Sequence, residues 1–162
     1  MKENYKVRKA DQGDQDFLFE MLYLSIYVEQ GAPKPDRSIV ERPEISKYVE
    51  NWGRDGDFSL IALNEDGIRM GAVWLRYFDS SCKGYGFISD EIPEIGIAVM
   101  EEYRGKGVGS FLLEEVLKRV PVPSISLSVQ SANPAAELYR RFGFYSCEDD
   151  GDSIIMRYDN NA

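Results

Sequence analysis

The segment from Ile95 to Leu117 constrains the fold of this chain more than any other. It opens with an almost continuous apolar run, Ile95 to Met100, which is typical of a strand buried on both faces. From Val108 onward, apolar residues recur at helical spacing along one face. Between the two lies a loop with three glycines, Arg104-Gly105-Lys106-Gly107-Val108-Gly109. The pattern predicts a buried strand joined to an amphipathic helix through a glycine-rich turn.

Patterns in the rest of the chain predict alternating strands and helices. Phe58 to Leu63 and Arg69 to Phe78 flank an Asp-Gly turn signal and predict a hairpin. Ser124 to Val129 alternates serine with apolar residues, which predicts a strand with one polar face. Asn133 as N-cap and Gly143 as a left-handed residue bracket a short helix. Other expected elements are strands at Tyr5 to Lys9, Phe144 to Cys147 and Ser153 to Tyr158, and helices after Asp14 and around Ile45 to Trp52. This order predicts a mixed α/β fold, with antiparallel hairpins at both ends and one parallel crossover between them.

Composition limits the chemistry that the chain can perform. Its 162 residues include no histidine, which removes Ser-His-Asp catalysis and histidine-based metal sites, and no metal is expected. A net charge of −9 argues against nucleic-acid binding but is compatible with cationic substrates. Cys82 and Cys147 lie far apart in sequence and are expected to be buried or inert thiols.

Length and hydropathy predict a single domain, 1–162, in the cytoplasm. This length suffices for one core. No apolar stretch approaches the ~20 residues that a membrane span needs, so no membrane contact is expected. The stretch Met1 to Tyr5 lacks the apolar core of a signal peptide.

The glycine-rich turn has the features of an anion site. A helix that begins after a glycine loop presents free backbone N–H groups and the positive end of its dipole, and Arg104 and Lys106 add positive charge. The sequence lacks GxxxxGK[ST], and its glycines do not form GxGxxG. A pyrophosphate of another kind is favoured, although three glycines could also make only a tight turn.

The chain resembles the GNAT superfamily of N-acetyltransferases in two motifs. Arg104, Gly107 and Gly109 match the family's [Q/R]-x-x-G-x-[G/A] pyrophosphate loop. A second set matches its later N-x-x-A-x-x-[Y/F]-x-x-x-G-F pattern: Asn133, Ala136, Tyr139, Gly143 and Phe144. The resemblance implies a GNAT-like acyl-CoA N-acyltransferase fold, a central, mostly antiparallel sheet with one parallel strand pair, flanked by helices. It also implies acetyl-coenzyme A as co-substrate.

The resemblance further implies where the cofactor binds. In the family the fourth and fifth strands splay apart and the pantetheine arm enters the gap. Backbone groups of Ile97, Ala98 and Val99 are then expected to pair with the arm and to polarise the thioester carbonyl. The whole loop from Arg104 to Gly109, including Gly105, Lys106 and Val108, is expected to hold the pyrophosphate. Asn133 is expected to hold the arm, to cap its helix, or both.

Tyr139 and Glu94 are the candidate acid and base. The Tyr139 phenol is placed by the second motif to protonate the departing thiolate, although a tyrosine at this spacing also suits a core. An amine acceptor must lose a proton, and without histidine a carboxylate or a water chain must accept it. Glu94 opens the fourth strand, where many family members carry Glu; Asp90 and Glu91 lie just upstream, and a solvated strand-end charge is the alternative for Glu94. The acidic run Glu148, Asp149, Asp150 and Asp152 is expected to be a solvated turn.

Three functional classes remain for comparison. The first is an N-acetyltransferase acting on a primary amine of a small molecule or peptide, with protein N-termini and lysine side chains as further acceptors. The second is a non-catalytic acyl-CoA-binding sensor of the same fold, and the third, the weakest, is an oxidoreductase with a variant nucleotide loop. Tyr139 together with Glu94 favours an enzyme, since a sensor needs neither. Partner contacts are common in such small folds, which leaves a homodimer open.

Overall fold

A computed structural model describes residues 4–120 and 122–160. The ends of the predicted domain, and Met1 to Glu3 of the stretch examined for a signal peptide, lie outside these residues. The helices are α1 (Gln15–Ser25), α2 (Pro43–Ser46), α3 (Val108–Arg119) and α4 (Ala135–Arg141). The strands are β1 (Lys6–Arg8), β2 (Phe58–Leu63), β3 (Arg69–Arg76), β4 (Glu94–Val99), β5 (Ser124–Gln130), β6 (Tyr145–Asp149) and β7 (Ser153–Asp159). No helix among the described residues is long and apolar enough to cross a membrane.

The strands form one mixed sheet in the order β1-β2-β3-β4-β5-β7-β6. β1 pairs antiparallel with β2, and β2 with β3. β4 and β5 are parallel, with Glu94 opposite Ser126, and α3 is the crossover between them. β5 pairs antiparallel with β7, and β7 with β6. The predicted mixed sheet, mostly antiparallel with one parallel pair and flanked by helices, is confirmed.

Two elements differ from their sequence predictions. The helix expected at Ile45 to Trp52 lies instead at Pro43–Ser46 and is followed by hydrogen-bonded turns. Pro43 suits a first helical turn, and Asn51 has a φ of 50°, which a right-handed helix excludes. In β5 the predicted polar face is largely buried, because Ser124 and Ser126 are 7% and 0% exposed. Small hydroxyl side chains fit where larger polar groups do not.

The expectation of burial for the cysteines was wrong, and that their thiols are inert stays a prediction. Cys82 and Cys147 are both free and both exposed. Cys82 lies in a turn in which Asp79 Oδ1 accepts from the backbone N–H of Cys82, and Cys147 lies on β6, whose five residues are all exposed. Alternating apolar spacing is absent around both positions, so burial had no support beyond residue type.

The chain divides into two compact units. The first comprises residues 4–26, Pro35–Leu75 and Gly96–Val120, and the second comprises Tyr27–Lys34, Arg76–Ile95 and 122–160. The prediction of a single domain stays a prediction.

The core of the first unit packs α1 against the inner strands. Leu18, Met21, Val49, Ile61 and Ala72 are fully buried in it. Nearby, the carboxylate of Asp14 is bound by Arg8 at 2.7 Å and by Arg69 at 3.1 Å. The hydrogen bond from Arg8 holds the pKa of Asp14 well below its usual range. Asp14 therefore ties β1 and β3 to the start of α1, although its side chain makes no capping hydrogen bond to that helix.

Trp74 explains why position 96 is a glycine. The indole is 1% exposed, and a Cβ added to Gly96 would lie 2.5 Å from Cε2 and Cζ2 of that ring. Real Cβ atoms do not approach carbon so closely, and the ring is held by its own core contacts. Gly96 thus lets a large aromatic side chain lie directly on β4.

We expect Gly96→Ala to destabilise the protein by about 1–3 kcal/mol, because the added methyl overpacks a rigid core. Thermal denaturation should show a loss of several degrees, at about 2–4 °C per kcal/mol for a chain of this size. A double-mutant cycle with Trp74→Phe is the control, since the smaller ring leaves room for the methyl. An alanine cost that is equal in both backgrounds would contradict the steric explanation.

Candidate functional site

The glycine loop ends in an open helix N-terminus. Gly105 and Gly107 have φ values of 76° and 80°, a conformation that favours glycine, and Gly107 is the residue that precedes α3. Among the described residues no side chain caps this end of α3. The first N–H groups of the helix are therefore available to an anion, and binding of a pyrophosphate there stays a prediction.

Two cations flank this helix end. Arg104 and Lys106 are exposed. Arg104 donates from Nε to the Val99 carbonyl at 3.2 Å, and its other guanidinium N–H groups make no hydrogen bond within the described part of the chain. This bond anchors the guanidinium to the end of β4 and leaves most of its donors for a ligand.

Tyr5 holds the loop in place and was missed by the sequence analysis. Its hydroxyl donates to the Lys106 carbonyl at 2.9 Å, and its ring packs edge-on against Phe111 of α3 with centroids 5.6 Å apart. A contact across 101 sequence positions leaves no local pattern. A tyrosine at the start of the first predicted strand was the only available signal.

Every second peptide group of β4 is directed away from β3, toward the side where a ligand could bind. Met100 donates its N–H to the Met70 carbonyl at 2.8 Å. β3 and β4 run antiparallel, since Met70 lies beside Met100 while Trp74 lies beside Gly96. Hydrogen-bonded positions alternate along such a ladder, so the peptide groups of Ala98 point toward β3. Those of Ile97 and Val99 point to the opposite edge of β4. Backbone groups of Ile97, Ala98 and Val99 were all predicted to pair with the pantetheine arm. By this geometry only the peptide groups of Ile97 and Val99 remain candidates, while Ala98 contributes a small, buried side chain.

In the second unit, Tyr139 lies on α4 in an apolar setting. It is 9% exposed, its ring lies 5.7 Å from that of Phe144, and the Phe144 N–H donates to its carbonyl at 3.1 Å. The hydroxyl makes no hydrogen bond within the described residues. Burial raises the pKa of Tyr139 to about 12, so the phenol keeps its proton at neutral pH.

The side chain of Asn133 uses its oxygen, but not its amide N–H groups, in hydrogen bonds. Its Oδ1 accepts from the Ala135 N–H at 2.9 Å, which satisfies a donor at the start of α4. The side-chain amide N–H groups make no hydrogen bond within the described part of the chain. The contact at the start of α4 therefore leaves the amide N–H groups for a ligand, and a role of Asn133 in binding the cofactor stays a prediction.

Glu94 is not the solvated strand-end charge that the sequence left open. It is 3% exposed, and its Oε1 accepts from the Gly86 N–H at 3.0 Å. A Cβ added to Gly84 would lie 2.1 Å from Oε2, so the loop that carries both glycines lies directly against the carboxylate. The neighbouring Asp90 and Glu91 are exposed. The sequence Gly84-Tyr85-Gly86 could have indicated that this loop packs closely against another segment. The sequence analysis did not use these glycines to predict burial of Glu94.

The predicted site residues are distributed over both units. The first unit holds the loop and the backbone of β4: Ile97, Ala98, Val99, Arg104, Gly105, Lys106, Gly107, Val108 and Gly109. The second unit holds Glu94, Asn133 and Tyr139. The acidic run at the β6–β7 turn is exposed and binds its own backbone through Asp149 and Asp150, as expected of a solvated turn.

This mixed sheet, with an open and positively charged helix start after its fourth strand, defines the fold of an acyl-CoA-dependent N-acyltransferase. The chain belongs to the acetyltransferase (GNAT) family, whose model matches residues 23–144. It is a GNAT N-acetyltransferase, and the family uses acyl-CoA.

Known proteins support the assignment. The chain is 27% identical over 157 residues to an uncharacterized N-acetyltransferase of Archaeoglobus fulgidus, covering 89% of this chain and 91% of that one. The PaiA N-acetyltransferase of Thermoplasma acidophilum, solved in complex with coenzyme A, is similar with a TM-score of 0.63 and 22% identity, over 97% and 99% of the two chains. The ribosomal-protein-alanine N-acetyltransferase of Brucella melitensis gives a TM-score of 0.66 and 23% identity, over 96% and 99%.

Proposed function

We propose that this enzyme transfers the acetyl group of acetyl-coenzyme A to a primary amine that is cationic before it reacts, on a small molecule or a peptide. The observation that carries the proposal is the open start of α3, with two left-handed glycines and the exposed Arg104 and Lys106 beside it. These features suit a pyrophosphate, which takes several N–H donors and positive charge.

The peptide groups of Ile97 and Val99 are our candidates for binding the pantetheine arm. Their direction away from β3 leaves them free of that ladder. A backbone N–H at this edge would also stabilise negative charge on the thioester oxygen as the amine attacks, which is usually a large contribution to acyl transfer.

Proton transfers are assigned to Tyr139 and Glu94. A phenol whose pKa is about 12 stays protonated until the thiolate departs and then can give up its proton. Glu94 is a buried carboxylate at the start of β4 and is our candidate for the group that accepts the proton of the amine. The Asn133 amide N–H groups would hold the cofactor arm.

The acceptor is assigned as cationic from the charge of the chain. The net charge is −9, and the exposed Asp90 and Glu91 precede β4. Much of the surface away from the glycine loop is therefore negative, which attracts cations and repels anions. Small-molecule amines and peptide amines both meet this description.

We expect free thiol to be released from acetyl-coenzyme A in the presence of cationic amines. The panel should contain amino acids, polyamines, aminoglycosides and peptides, and rates should fall as salt is added, because attraction by exposed carboxylates is screened. A preferred acceptor with net negative charge near its amine would contradict the acceptor class. Tight binding of acetyl-coenzyme A without transfer to any amine would identify a sensor instead.

A further inference from the structure

One turn of the loop between β3 and β4 covers the carboxylate of Glu94. In this turn, residues 84–87, the Phe87 N–H donates to the Gly84 carbonyl at 3.2 Å. The Gly86 N–H donates to Glu94 Oε1 at 3.0 Å, and a Cβ at Gly84 would lie 2.1 Å from Oε2. Glu94 is buried, and its Oε2 is shut off from solvent. An amine therefore cannot reach this carboxylate while the 84–87 turn is in place.

The same turn lies directly on the backbone of β5. A Cβ added to Gly86 would lie 2.6 Å from the Leu127 carbonyl carbon and 2.8 Å from the Ser128 nitrogen. Only a glycine can approach a neighbouring strand so closely. The closed position of the 84–87 turn thus depends on backbone contacts and on the hydrogen bond to Glu94, all within the second unit.

The adjoining part of the loop buries little side-chain surface. The side chains of residues 79–83 and of Tyr85 are all exposed. The Lys83 Nζ lies over the Phe87 ring, 5.5 Å from its centroid, which is a contact within the loop itself. Segments that bury little apolar surface open at a lower free energy than the strands of a sheet. The 84–87 turn can therefore open while β4 and β5 stay paired.

The Gly86 N–H occupies a place that an ammonium group can take. A primary amine arrives as an ammonium with three N–H donors, and its full charge adds an attraction to the carboxylate that a neutral peptide N–H lacks. An ammonium is therefore a stronger partner for Oε1 than Gly86 is. A quaternary ammonium carries the same charge but has no N–H, so it cannot replace that donor.

We propose that the 84–87 turn is a gate over Glu94, and that the acceptor's ammonium opens it by replacing the Gly86 N–H on Oε1. One proton then passes from the ammonium nitrogen to Oε1 along the new hydrogen bond, which leaves the nitrogen its lone pair. The gate admits cations that carry N–H donors and keeps solvent from the carboxylate until they bind. This inference rests on the proposed function, in which Glu94 is the base.

Amide hydrogen exchange, followed by NMR on the enzyme without ligands, tests whether the turn opens by itself. The reference is the Ser126 N–H, which is also buried and donates to the Pro93 carbonyl at 3.0 Å beside the paired β4 and β5. After correction for intrinsic rates, we expect the Gly86 N–H to exchange at least about 100-fold faster than that of Ser126. Equal protection would mean that the turn opens only together with the sheet, and would overturn the gate.

Tyr85→Gly should make the gate easier to open, because a third consecutive glycine gives the open chain more freedom. We expect the exchange of Gly86 and kcat/KM for the most active amine of the panel both to rise about 2- to 5-fold, with the KM for acetyl-coenzyme A unchanged. Asp66→Gly is the matched control, since Asp66 is an exposed residue of the β2–β3 turn, and it should change neither quantity. Faster exchange with a lower kcat/KM would contradict a gate, because the closed turn would then assist catalysis.

A pair of matched amines tests what opens the gate. Coenzyme A replaces acetyl-coenzyme A, so that no transfer occurs, and the most active amine is compared with its N-trimethylated form. We expect the amine to raise the exchange of Gly86 about tenfold or more, and the trimethylated form to leave it unchanged. An equal rise with both compounds, or no rise with the amine, would overturn replacement of the Gly86 N–H by an ammonium.

Glu94→Gln separates the gate from the function on which it rests. If this variant changes the pH profile of kcat/KM for the amine while Gly86 is as protected as Ser126, the gate is removed and Glu94 remains the base. An unchanged profile, or transfer to no amine of the panel, removes the base and the gate together. A changed profile with fast exchange of Gly86 in the parent enzyme supports both.

Discussion

Replacing Tyr139 by phenylalanine should lower turnover by roughly 10²–10⁴ while the affinity for acetyl-coenzyme A changes little. Phenylalanine keeps the ring that packs against Phe144 and deletes only the hydroxyl. That hydroxyl makes no hydrogen bond within the described residues, so its removal should leave α4 and the surrounding core intact. The substitution is therefore expected to lower the rate of the chemical step and not the stability of the fold.

Single-turnover rates and calorimetric titration with acetyl-coenzyme A would measure the two quantities separately. Tyr158→Phe is the matched control, because Tyr158 belongs to the same aromatic cluster, with its ring 5.4 Å from that of Phe144. With a pKa of about 12, Tyr139 should contribute no titration to the neutral part of the pH–rate profile. A Tyr139→Phe enzyme as active as its parent would make the residue structural and require another acid.

The sequence predicted those parts of the molecule that are encoded locally. A turn signal predicted the hairpin of β2 and β3, and apolar residues at helical spacing predicted α3. The cap at Asn133 predicted the short helix that follows it. The glycine loop was predictable for the same reason, since its positive φ values and its position before a helix are properties of one short segment.

What the sequence did not reveal depends on contacts between distant positions. Burial of Glu94 requires Gly84 and Gly86 to lie against it, and the polar face of β5 is covered although its serines alternate with apolar residues. Tyr5 reaches Lys106 from the other end of the first unit's sequence. A local residue pattern cannot predict such contacts, because alternating apolar and polar residues identify a strand but not the segment that packs on it.

Gly107→Val should abolish measurable binding of acetyl-coenzyme A, a loss of at least about a hundredfold in affinity or ~2.7 kcal/mol. The β-branched side chain would stand at the start of α3, where phosphate oxygens must approach the N–H groups. Among the described residues, no atom apart from Gly107 and its chain neighbours lies within 4 Å of a Cβ at this position, so a clash with packed side chains does not explain the effect. The backbone conformation, however, adds a cost of its own, because valine at a φ of 80° is strained by about 1–3 kcal/mol.

Gly67→Val separates the two effects. Gly67 has a φ of 78°, and no described atom beyond its chain neighbours lies within 4 Å of its Cβ position. It lies in the β2–β3 turn, which takes no part in the proposed site. Both variants should therefore lose a similar few degrees of Tm, while only Gly107→Val loses the cofactor. Thermal denaturation with and without acetyl-coenzyme A measures both properties in one experiment, since a bound ligand raises the Tm and an unbound one does not. If Gly107→Val keeps the parent's ligand-induced rise in Tm, the pyrophosphate lies elsewhere and the open end of α3 is only a turn.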